Sequence, residues 1–169
     1  DPGLRSELSK LLVYPDIVVL VATDHYLEAT PHLVAELEKF NVTGVPAPQL
    51  KPELFNPARE VVIVNSAEMG ARKASRRFWE GVQQTFNLPT LARLVLVDVF
   101  GANEPGGATP RARQRVNERM AATLAQIEAV FQAQATAFPF FKTDALESHA
   151  EYEQLLEQAS QFVVRKLVD

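Results

Sequence analysis

Two short β-branched runs, Asp16-Ile-Val-Val-Leu-Val-Ala-Thr23 and Glu60-Val-Val-Ile-Val-Asn65, constrain this chain more than any other feature. Neither alternates apolar with polar positions. A strand with one wet face alternates, whereas a strand covered on both faces does not, so both runs read as interior strands of a parallel sheet. Leu94–Phe100 is a third run of this kind, and Ala137–Phe141 predicts a fourth, short strand whose Pro139 favours an edge position.

Helical spacing fills the intervals. Leu4, Leu8, Leu11 and Leu12 predict a helix over 4–12, punctuated by Tyr14-Pro15. Thr30-Pro31 reads as the N-cap and first position of a helix that carries Leu33, Val34, Leu37 and Phe40 and ends near Asn41. Residues 43–57 hold four prolines and read as loop. A helix is expected over about 70–86, and another after Thr109-Pro110 with Val116, Met120, Leu124, Ile127 and Phe131 on one face. Asp144-x-x-Glu147 has the form of a capping box ahead of a last helix striped by Tyr152, Leu155, Leu156, Ala159, Phe162 and Val163. Strands alternating with helices predict an α/β fold: a mostly parallel sheet with helices on both faces, three αβα layers, in a single domain over residues 1–169.

The 169 residues are 47% hydrophobic, enough for a core, yet no apolar run approaches the roughly 18–20 residues that span a bilayer. With no cysteine, disulfides, thiolate metal sites and cysteine nucleophiles are excluded. A cytoplasmic location is expected. Charge is uneven: residues 59–119 hold 10 of the 17 basic and 6 of the 21 acidic side chains, although the whole chain is at −4. The bases gather as Arg72, Lys73, Arg76, Arg77 and as Arg111, Arg113, Arg115, Arg119. They are either solvated helix faces or a surface for an anion or a protein partner, a homodimer included. The net acidity and the lack of interleaved aromatics argue against nucleic acid. Arg111 and Arg113 open a helix, where cations oppose the dipole, as they would if placed to meet an anion.

Parallel sheets bind ligands at the carboxyl ends of their strands, which directs attention to Thr23–His25, Asn65–Glu68, Asp98–Gly107 and Lys142–Asp144. Asn65 either caps the turn after its strand or reads a purine edge with one acceptor and two donors. Asp24, His25, Glu28 and His32 have residue types suited to zinc or acid–base chemistry, but no single element sets their geometry, and no metal site is expected. Asp98, Asn103 and Glu104 lead into Gly106-Gly107, a loop that either turns the chain or brings Mg²⁺ and a phosphate to its backbone. Phe78, Trp79, Val82 and Phe86 form an apolar stripe that packs on the sheet or faces a partner.

The order of these parts resembles the ArsA/Get3-like, ParA/MinD-related branch of P-loop ATPases. Asp1-Pro-Gly-Leu4 is similar to the switch segment after the Walker B strand, and Val61-Val-Ile-Val-Asn65 to the strand whose terminal Asn reads adenine. Arg111–Phe131 followed by Phe138-Pro-Phe-Phe-Lys142 looks like the long helix, strand and proline-containing loop beside the base. The resemblance implies a chain that is the C-terminal part of a longer nucleotide-binding domain, with Asn65, Pro139, Phe140 and Phe141 on the adenine side. No G-x-x-x-x-G-K-[ST] loop is present, so ATP and Mg²⁺ would need an upstream segment, and the chain is not expected to hydrolyse ATP alone. Two other functions fit the residues: a non-enzymatic interaction or regulatory module using the basic helices, and a small α/β enzyme using Asp24, His25 and Asp98.

Overall fold

The computed structural model describes residues 2–86, 93–98, 110–139 and 149–168. It is an α/β fold, and every described strand pair is parallel. The chain divides into two compact units, Ser9–Thr90 and Asp1–Leu8 with Leu91–Asp169.

The Ser9–Thr90 unit is built on a three-stranded sheet. Helix α1 (Pro2–Leu12) belongs to this unit only from Ser9, its first turns through Leu8 counting with the other unit, and β1 (Leu20–Thr23), α2 (Ala29–Glu38), β2 (Thr43–Pro46) and β3 (Glu60–Asn65) follow. The strand order is β1-β3-β2, with Thr23 opposite Asn65 and Pro46 opposite Ile63. Strand β3 is central, and Val61 to Asn65 are all buried. Since successive side chains point to opposite faces, five buried residues in a row mean that both faces are covered. The uniformly apolar run 60–65 signals this interior strand, but the similar run 16–23 misleads: only Leu20–Thr23 is strand, and β1 lies at the sheet edge with Leu20–Ala22 half-buried.

Segment 43–57 is not all loop. Thr43–Pro46 pairs with β3, and two 3₁₀ turns follow at Ala47–Gln49 and Pro52–Leu54. Pro46 is tolerated because it ends an edge strand, where no partner needs its missing N–H. Asn41, at φ 59°, turns the chain from α2 into β2, and Val42 N–H closes back on Leu37 O at 3.2 Å. Gly44 lies against α2: a β-carbon there would sit 3.1 Å from Val34 Cα and 3.0 Å from Ile63 Cδ1. Backbone cannot yield as a side-chain tip does. Gly44→Ala is therefore expected to cost about 1–3 kcal/mol, measured by urea denaturation.

The predicted helix over about 70–86 begins only at Arg76, and a short helix not expected from the sequence precedes it. Helix α3 (Ser66–Met69) stops at Gly70, whose φ of 61° suits a residue without Cβ, and α4 (Arg76–Phe86) starts after a turn. Ser75 N–H and Oγ both donate to Arg72 O, and Trp79 Nε1 donates to Lys73 O at 2.8 Å, which holds the turn. Phe78, Trp79, Val82 and Phe86 are buried, so the apolar stripe of α4 belongs to the core and not to a partner surface.

In the other unit β4 (Arg93–Asp98) and β5 (Gln134–Pro139) pair in parallel, with Arg93 opposite Gln134 and Asp98 opposite Pro139. They flank α5 (Pro110–Phe131) in sequence, and α6 (His149–Leu167) follows. The N–H of Ala135, the second residue of β5, is taken by Glu128 Oε1 of α5 at 3.0 Å. Helix α6 docks through Phe162, whose ring lies 5.5 Å from that of Phe138, and through Lys166 O, which accepts from Arg93. Its Ser160 hydroxyl donates to the Glu7 carboxylate of α1. Among the described residues no helix is long and apolar enough to cross a membrane.

Candidate functional site

The carboxyl ends of β1, β3 and β2 bring together three loop segments of the Ser9–Thr90 unit. Their joint is Asn65, which is fully buried. Its Oδ1 accepts from Ala67 N–H at 3.1 Å, the N-cap bond of α3. Its Nδ2 donates to Tyr26 O at 2.9 Å and to Thr30 Oγ1 at 3.1 Å. Both amide hydrogens and one acceptor position are thus used in tying the 24–30 loop to the end of β3. The capping role proposed from sequence is what the side chain performs, and it is wider than a local turn. Thr30 does not cap α2, as its Thr-Pro signature suggested; Glu28 occupies that position, and the buried Thr30 hydroxyl serves Asn65 instead.

Asp24 is also spoken for, since its Oδ1 accepts from Lys73 N–H at 3.0 Å and so joins the β1 loop to the turn before α4. His25, Glu28 and His32 are exposed. Among the described residues no group of three or more His, Asp or Glu side chains is placed to hold a metal.

Beside this joint lies an open cleft of about 740 Å³. One wall is the face of α2 and its approach that bears Leu27, Glu28, Pro31, Val34, Ala35 and Glu38; the other is formed by Gly44, Pro46, Gln49 and Glu68. Three glutamates and no basic residue line it. Glu68 Oε2 is buried, with no hydrogen-bond partner among the described residues. The neighbouring Glu36 is outside the cleft: hydrogen bonding to Lys39, with the attraction of that ammonium, holds its carboxyl below the usual range. A depressed carboxyl stabilises the fold above its unfolded pKa and loses that contribution as pH falls through the folded value. Lys39→Met should return Glu36 towards the ordinary range in an NMR titration.

The other sequence candidates scatter. Arg72 and Lys73 lie in the turn and only Arg76 and Arg77 in α4, so the four do not share one helix. Arg76 Nε is paired with Glu80 Oε1 at 2.8 Å, while Arg72 and Arg77 are exposed. Pro139 ends β5 in the other unit and is half-buried. Arg111 and Arg113 fall in the first turn of α5, but their side chains lie outside the described residues, as do Phe140, Phe141, Asn103, Glu104 and the side chain of Asp98.

Glu68 falls in the strand-end segment Asn65–Glu68 marked from sequence, whereas the cleft residues Glu38, Pro46 and Gln49 were not singled out. Positions 28, 31, 34/35 and 38 do share one helical face, which was readable; the opposing wall comes from the unforeseen pairing of β2. Comparison with family models, with curated proteins and with solved structures gave no match.

Proposed function

We propose that this chain is part of a nucleotide-binding α/β domain resembling the ArsA/Get3-like ATPases, contributing the adenine side of the site and not catalytic by itself. Its support is the end of β3: a central strand, flanked in parallel by β1, finishing on an amide-bearing residue at the carboxyl edge where open sheets take their ligands. Because both Nδ2 hydrogens are already bonded, a base can be read there only by exchange. The adenine edge takes the place of Tyr26 O on Asn65, and the exposed 24–28 loop moves to let it in. Affinity is accordingly weak, since one hydrogen bond replaces another. Isothermal titration with ADP and with adenosine tests this, at a temperature where both parent and Asn65→Ala are folded by circular dichroism. Saturable binding lost in the variant is expected; no binding, or equal binding by both, removes the proposal.

A second reading, an interaction module, is favoured by the exposed Arg72 and Arg77. It predicts that Arg72→Gln with Arg77→Gln abolishes capture of an anionic partner while the melting temperature stays within about 2 °C, as surface changes of this kind alter stability little.

A further inference from the structure

Two hydrogen bonds fasten the turn before α4 to the carboxyl ends of neighbouring strands. Ala71 N–H donates at 3.3 Å to the carbonyl of Ser66, the residue after Asn65 of β3. Lys73 N–H donates at 3.0 Å to Oδ1 of Asp24, the residue after Thr23 of β1. Arg72 stands between these fastenings and is exposed. Its own carbonyl accepts from the Ser75 N–H and hydroxyl, both at 2.9 Å, and the indole of buried Trp79 holds Lys73 O. The backbone under Arg72 is therefore fixed on both sides, and a cation so mounted needs less ordering to meet an anion. From Asn65 to Arg72, by way of Ser66 O and Ala71 N–H, the α-carbons are at most about 15 Å apart. The cleft that adjoins Thr30 has the opposite sign, lined by Glu28, Glu38 and Glu68 and by no basic side chain among the described residues.

We infer that Arg72 binds the phosphates of the nucleotide whose base Asn65 reads, which makes the ligand class of this site a nucleoside phosphate and not a nucleoside. The inference rests on the adenine reading of Asn65. With the base on Asn65, the phosphates lie either towards the acidic cleft or over the 71–73 turn. Carboxylates repel phosphate, whereas a guanidinium pairs with two of its oxygens at once. The turn therefore receives them. The contact is made by the Arg72 side chain; the amides of Ala71, Lys73 and Ser75 keep their bonds, so backbone exchange in the turn stays as it is.

The test is isothermal titration of the chain at near-physiological salt with ADP, adenosine and inorganic diphosphate. ADP is expected to bind about fivefold more tightly than adenosine, near the upper end for an exposed ion pair. Arg72→Gln should lower ADP to the level of adenosine and leave adenosine unchanged, and high salt should do the same to the parent. Arg59→Gln removes an exposed guanidinium at the amino end of β3 and should leave ADP binding as it was. The inference is overturned, with the adenine reading intact, if ADP and adenosine bind equally and both are lost in Asn65→Ala. The same holds if the ADP advantage survives Arg72→Gln, or falls as far in Arg59→Gln. Diphosphate binding as tightly as ADP would also overturn it, since the anion would then be taken without a base. If neither ADP nor adenosine binds, this inference and the adenine reading fall together.

Discussion

Phe78→Ala is expected to destabilise the Ser9–Thr90 unit by about 4 kcal/mol, the largest single effect foreseen in this chain. Phe78 has no exposed surface, and its ring meets Trp79 edge-on with centroids 5.0 Å apart. Truncation removes the transfer energy of the ring and leaves a cavity that neighbouring side chains fill only in part. It also withdraws the edge-to-face contact from Trp79, whose indole N–H holds the Arg72–Ser75 turn through Lys73 O. Trp79 is the sole tryptophan, so its fluorescence follows urea unfolding of this unit directly. The midpoint should fall steeply, and the native emission should shift as the indole loses its neighbour. A loss under about 1 kcal/mol would mean that the α4 stripe does not carry the core.

Asn65→Ala is expected to cost about 3 kcal/mol, although it deletes only an amide. Losing the α3 cap contributes about 1 kcal/mol. The remainder comes from Thr30 Oγ1 and Tyr26 O, which lose their donor while the Thr30 hydroxyl stays buried, at about 1–3 kcal/mol for groups so stranded. Thr30→Val removes one of these contacts and should cost about 1 kcal/mol. The contrast has a kinetic counterpart. In Asn65→Ala the amides of Ala29 and Thr30, bonded to Tyr26 O and Leu27 O, should exchange with solvent faster, because the loop is no longer tied to β3. If Asn65→Ala costs no more than an ordinary cap, the amide is not the joint between the loops.

What could be read in the sequence followed the range of the forces involved. The burial of β3 shows in composition, because a strand enclosed on both faces has no position for a polar residue until Asn65. The α4 stripe and the long helices α5 and α6 show in their spacing, which depends only on residues within a few turns. Thr43-Gly-Val-Pro46 gave no such signal: four residues with a proline become a strand only because β3 offers an edge to pair with. The helix expected from about residue 70 starts only at Arg76, because the turn before it is held by Trp79 Nε1 on Lys73 O and by Ser75 on Arg72 O, bonds that local spacing does not announce. Thr30 was misassigned for a related reason. Its local motif is a cap, but a donor 35 residues away claims the hydroxyl. The cleft needed both walls, and one was invisible until β2 was placed. The strand-end location of the candidate site was legible as a rule of parallel sheets; that Asn65 spends both amide hydrogens inside the fold was not.

The nucleotide proposal is tested most directly by hydrogen–deuterium exchange of the chain with and without saturating ADP, read across residues 23–30 and 65–68. The expected result is a ligand-dependent change confined to these segments, with faster exchange at Ala29 and Thr30 as Asn65 releases Tyr26 O, and protection at Ala67, whose N–H stays on Oδ1. No change in either segment, or a change only at the Arg72–Arg77 segment, would contradict an adenine site at the end of β3.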